Sequence, residues 1–145
     1  MSDLVEWLAG RRALVVDTET TGFDPKQGHR LVEAAAVPIE DGAIGEGWAS
    51  LIRPGRPIPP DATAIHGISD ELVADAPEPA TVAPELRRRC EGAPLIFHNV
   101  AFDLPFLRAL FEEAGQPPIY NPVVDTLGLS RGLGGAGGQI GRAHV

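Results

Sequence analysis

The stretch Leu14-Val15-Val16-Asp17-Thr18-Glu19-Thr20-Thr21-Gly22 decides how the rest of the chain is read. Its apolar, β-branched opening has the composition of a buried strand. Strand side chains alternate faces, so Asp17 and Glu19 point the same way if the strand runs through Glu19. Two neighbouring carboxylates raise each other's pKa unless positive charge lies between them. A hard divalent cation, which takes oxygen ligands, meets that need. A competing reading ends the strand early and makes Asp17 and Thr18 the start of a turn into Gly22. The stretch alone leaves both open.

Working outward, Leu4 to Ala9 reads as one or two helical turns ahead of a first strand over Arg12–Thr18. Gly22 to Gly28 is a loop. Leu31 to Ile39 is a second strand with Glu33 inside it, and Pro38, which cannot donate a ladder hydrogen bond, belongs near an edge or strand end. Asp41-Gly42 is a hairpin signal, so Ala43 to Ile52 is the expected returning strand. After the proline-rich loop Pro54–Pro60 come a short helix ending at Gly67 and a second helix start capped by Ser69. Thr81 to Glu91 reads as a helix, with Val82 and Leu86 inward. Pro94 to His98 is a short buried strand. Ala101 to Ala114 is an amphipathic helix carrying Leu104, Leu107 and Phe111 at helical spacing, and Pro105 belongs in its first turn or kinks it. Tyr120 to Val124 is a last strand, and Thr126 begins a helix. Gly128 to Gly141 holds seven glycines and reads as a flexible loop. The fold class expected is α/β: a mixed sheet of three antiparallel strands followed by alternating helices and short strands.

The length, 145 residues, suits one domain with a core, and 43% hydrophobic with 22% charged residues is a soluble globular composition. A single cysteine, Cys90, excludes an internal disulfide and fits a reducing compartment. No apolar run approaches the ~20 residues of a membrane helix. Residues 1–12 lack a signal-peptide pattern. The expected location is the cytoplasm. The formal net charge of −8 argues against a broad grip on phosphates. A nucleic-acid enzyme with this charge needs metal ions or a partner to supply positive charge.

A second strand exit repeats the first. His98-Asn99-Val100-Ala101-Phe102-Asp103 follows the apolar run Leu95-Ile96-Phe97 and sets a carboxylate at a helix start. Each residue also has a plain structural reading. Asp103 favours the helix dipole, Asn99 caps, and His98 is a satisfied strand-end histidine. Beside Asp17 and Glu19, however, the second exit completes a three-carboxylate pocket suited to two metal ions.

These two motifs, with Ala64-Ile65-His66-Gly67-Ile68-Ser69 between them, resemble those of the DEDD superfamily of 3'–5' exonucleases. The branch is the histidine-containing one that includes the proofreading epsilon subunit of bacterial DNA polymerase III. The resemblance spans roughly residues 12 to 127. It implies a ribonuclease-H-like fold, Asp17, Glu19 and Asp103 as ligands of two Mg2+ or Mn2+ ions, and hydrolysis at the 3' end of single-stranded or frayed DNA or RNA. It implies a substrate surface of Thr18, Gly22, Asp61, His66, Asn99 and Phe102, with Phe23 or Phe102 as a stacking surface. A polymerase or replication partner is implied, and no membrane. His66 also has a plain reading as a helix-terminal histidine favoured by the dipole. Gly141-Arg142-Ala143-His144-Val145 resembles the start of the third motif, which makes His144 the general base. The aspartate five residues later falls past Val145. The expectation is therefore one exonuclease domain over 1–145, C-terminally truncated, without its last helix and with residues 128–145 a flexible tail. Asp125 is read as structural. A phosphatase of the haloacid dehalogenase type is excluded, because it needs a downstream lysine and an acidic pair, whereas the one lysine is Lys26. The remaining alternative is a catalytically incompetent module that binds nucleic acid or a replication partner.

Overall fold

The computed structural model describes residues 6–128 and the backbone of 142–143. Strand β1 (Arg12–Thr20) lies at the centre of a seven-stranded sheet. The strand runs through Glu19, which removes the early-turn reading. Leu14, Val16, Thr18 and Thr20 are buried on one face of β1, while Asp17 is exposed and Glu19 half-buried on the other.

β2 (Leu31–Glu40) pairs antiparallel with β1, from Arg12 opposite Glu40 to Glu19 opposite Glu33 and Thr20 opposite Leu31. This register skips Val32, a bulge at the acidic end of β1, where such irregularities commonly re-aim side chains. β5 (Leu95–Phe97) pairs parallel with β1, and β6 (Val123–Asp125) parallel with β5. β5 reaches only as far as Val15 along β1, so the acidic end of β1 projects past it. The expected mixed α/β sheet is what forms.

Two expectations about strands need correction. Ala43–Ile52 is not one strand. β3 (Ala43–Ile44) and β4 (Trp48–Leu51) each pair with β2, separated by Gly45-Glu46-Gly47. The break falls opposite Pro38. Gly45 N donates to the Pro38 carbonyl at 2.8 Å, so the proline's donorless nitrogen faces the same outer side, where no strand runs alongside. Nor is the strand before Thr126 the last one. Arg142–Ala143 forms β7, antiparallel to β6. That segment belongs to the stretch expected as a flexible tail; apart from Gly128 at its start, the rest of the stretch lies outside the described residues.

Helices α1 (Pro60–His66) and α2 (Asp70–Val73) follow the proline-rich loop. Gly67 closes α1 with a left-handed φ of 76°, and Ser69 caps α2 through Leu72 N–H. α3 (Pro79–Cys90) starts two residues earlier than its apolar pattern because Pro79 suits the first helical turn. α4 (Val100–Glu113) starts at Val100, which puts Pro105 in the second turn and not the first. The main core lies between one sheet face and α3 with α4, around Leu14, Val16, Phe97, Leu86, Phe106, Leu107 and Phe111. Each large side chain buried there contributes about 1.5–3 kcal/mol. A smaller cluster of Ala13, Ile96 and Val124 covers the other face beneath Trp7 and Leu8 of the first helical turn. Val32, Ile58, Ile68 and Val73 form a third, which docks α1 and α2 beside the acidic end of β1. Among the described residues no helix is long and apolar enough to cross a membrane.

Candidate active site

The exposed and half-buried face of β1 delivers Asp17 and Glu19 side by side, as period-two alternation requires. Burial first, then the neighbouring Asp17 carboxylate, pushes the Glu19 pKa up; Glu33 adds to this and His66 opposes it. Glu33 is directly opposite Glu19 in the antiparallel register. No local pattern announces this neighbour, because cross-strand pairing depends on the register and not on local spacing.

Asp103 comes from the first turn of α4, 5% exposed. Thr18, on the helix-bearing face of β1, donates its Oγ1 hydrogen to Asp103 Oδ1. Thr18 therefore serves Asp103. Burial pushes the Asp103 carboxyl up to about 6, the Thr18 hydrogen bond and His98 oppose that, and the charges of Asp17 and Glu19 reinforce it. All three carboxylates thus feel one another electrostatically.

Asp103 nevertheless sits with Thr18, while Asp17 and Glu19 leave β1 on the opposite face. Among the described residues no group of three His, Cys, Asp or Glu side chains is drawn close enough to hold a metal ion. The chemistry of the donor set fits a divalent cation. It consists of hard oxygens in mutual repulsion, the condition such an ion relieves. Their spacing is not that of a closed ligand shell.

Next to Glu19 lies a cleft of about 370 Å³, lined by Glu19, Gly22, Phe23, Asp61, Ile65, His66 and Phe102 among others. Phe23 and Ile65 are 83% and 77% exposed at its rim. The cleft gathers Gly22, Asp61, His66 and Phe102 from the expected substrate set. Thr18 and Asn99 are outside its walls, as are Asp17 and Asp103.

Hydrogen bonds occupy both ring nitrogens of His66. Nδ1 accepts from Ile68 N–H at 3.0 Å, so Nε2 carries the proton and donates to the Thr20 carbonyl at 2.9 Å. His66 thus ties the end of α1 to the end of β1 and closes one wall of the cleft. Gly22 lies against His29, where a Cβ would come within 2.4 Å of the imidazole ring. Thr21 Oγ1 and His29 Nδ1 are 2.9 Å apart. His144, expected as the base, lies outside the described residues.

A family model described as an exonuclease matches residues 14–138. A DNA polymerase III subunit epsilon-like protein of Rhodobacter capsulatus is 46% identical over 125 residues, which covers 85% of this chain and 18% of that protein. A DNA polymerase III subunit epsilon of Rickettsia felis is 41% identical over 131 residues, covering 87% of this chain and 57% of its own. Among solved structures, exonuclease X in complex with 5' overhanging duplex DNA superposes with a TM-score of 0.65 at 32% identity, covering 83% of this chain and 63% of that one. In each case the chain spans less than two thirds of its relative's length.

Proposed function

The chain belongs to the exonuclease family, and from that premise we propose that it hydrolyses phosphodiesters from the 3' end of a DNA or RNA strand. The observation that carries this reading is the acidic end of β1 opening onto an apolar-rimmed cleft. The cleft takes the terminal nucleotide. Phe23, Ile65 and Phe102 offer apolar surface to its base, which favours single-stranded or frayed ends whose bases are free to stack. His66 holds the cleft wall in place, and Asp61 lines the opening. Asp17 and Glu19 from one side and Asp103 from the other would hold divalent cations, Mg2+ or Mn2+, two in number. Bound there, such ions supply charge neutralisation at the phosphate and an acidified water. His144 would accept the proton of the attacking water. The relatives named as polymerase III subunits support a replication or proofreading setting, which we place in the cytoplasm.

The test is a 5'-labelled single-stranded oligonucleotide incubated with protein and Mn2+ or Mg2+. A ladder shortened from the 3' end is expected, and Asp17→Asn should abolish it. Absence of cleavage with either ion, together with measurable strand binding, would support the second reading: an incompetent nucleic-acid-binding module. That reading is favoured by one observation: among the described residues no three His, Cys, Asp or Glu side chains are drawn close enough together to hold a metal ion.

A further inference from the structure

Resting on the exonuclease reading, we propose that Asp125 is a positioning residue for the reaction: it holds Asn99 in the turn that aims Asp103. β5 and β6 are parallel neighbours that end together, Phe97 opposite Asp125. The chain leaves β5 through His98 and Asn99 and enters α4 at Val100. Asn99 makes that turn at φ 92°, ψ 71°, a left-handed conformation that residues with a Cβ avoid. The Asn99 side chain makes no capping bond to α4. Asp125 holds the turn from the neighbouring strand. Its Oδ1 accepts the Asn99 N–H and the Leu127 N–H, both at 3.0 Å.

The tie continues directly into the site. The Asn99 carbonyl accepts the N–H of Phe102 at 3.0 Å and of Asp103 at 3.3 Å. The peptide geometry that Asp125 holds at Asn99 therefore sets where α4 begins and where Asp103 meets Thr18. Thr126 adds a parallel tie. Its hydroxyl donates to the Phe97 carbonyl at 3.2 Å, so toward His98 Nδ1, 2.9 Å away, it acts as acceptor. That assigns the proton of His98 to Nδ1 and keeps the imidazole fixed beside Asp103. Asp125, the last residue of β6, and Thr126 just after it thus clasp the two residues that precede the helix of Asp103.

A double-mutant cycle on the full chain tests this. Asp125→Ala should lower kcat on a single-stranded oligodeoxynucleotide with Mn2+ by about tenfold or more, with a much smaller change in KM, since misplaced catalytic groups cost rate. Asp125→Asn retains an oxygen acceptor and should keep most of the activity. In an Asn99→Gly background, whatever that change costs by itself, removing Asp125 should cost little further, because glycine takes the left-handed turn unaided. Additive losses, or an Asp125→Ala protein that melts lower but turns over at the wild-type rate, would overturn the proposal. Amide hydrogen exchange of Asn99 in metal-free protein separates this from the activity reading. Faster exchange in Asp125→Ala is expected even if the wild type cleaves nothing. Unchanged protection there would sink the clasp and leave the exonuclease reading untouched.

Discussion

Asp103 is the residue in which the chemistry of the site is most exposed to test. Its folded pKa of about 6 stands above the ordinary 3.8. Between those values the unfolded chain gives up its proton while the folded one keeps it, so this group's contribution to stability is fully present below 3.8 and is lost as pH rises through 6. Asp103→Asn retains an acceptor for Thr18 and no longer ionises. The metal-free variant should therefore be about 1–2 kcal/mol more stable than the wild type at pH 7 and should lose the gain near pH 3.5, while its nuclease activity disappears. Equal denaturation midpoints at both pH values would refute that account. At Gly22 the argument is steric. A methyl group there meets the His29 ring at 2.4 Å, so Gly22→Ala should cost about 1–3 kcal/mol in urea unfolding. Residue identity made Asp17, Glu19 and Asp103 legible in the sequence, because carboxylates at strand and helix ends follow short-range patterns. The partners of those residues were not legible. Thr18 reaches Asp103 across 85 positions and Glu33 meets Glu19 only through register, and neither pairing has a local signature.

At the level of elements, β1, β2 and β5 were readable because alternation and apolar runs are local, and the Asp41-Gly42 turn takes the two positive φ values, 49° and 81°, that the dipeptide favours. The division of the returning strand was not readable. Pro38 and the glycines flanking Glu46 are far apart in sequence and come together only once the hairpin closes. β7 was missed because a two-residue strand in a glycine-rich stretch has no periodicity to detect. The helix α1 has an unusual fastening: its last residue, His66, is bonded to Thr20 on β1 and to Ile68 beyond the cap. His66→Ala breaks both bonds, worth about 0.5–1.5 kcal/mol each. Melting should therefore fall modestly, while KM for a 3' end should rise several-fold as the cleft wall loosens. A large stability loss with KM unchanged would reduce His66 to a fold staple.

Across the whole molecule the decisive quantity is charge. The chain carries 12 basic and 20 acidic residues, and Glu19 and Asp61 line the cleft itself. A protein that gripped a strand through six to ten phosphates would lose about 10³–10⁵ in affinity between 50 and 200 mM salt. This surface has no comparable excess of cations to offer a polyanion. On the proposed reading its contacts are instead the apolar cleft rim of Phe23, Ile65 and Phe102 and divalent ions at the carboxylates. Stacking is insensitive to monovalent salt, and general repulsion between two negative partners weakens as salt screens it. At saturating Mn2+, KM for a single-stranded oligonucleotide should therefore rise less than about tenfold over that salt range. It should instead depend strongly on Phe23, with Phe23→Ala raising KM by a factor consistent with about 1–3 kcal/mol of lost stacking. A steep salt dependence together with indifference to Phe23 would mean that backbone phosphates, and not the terminal base, carry the binding.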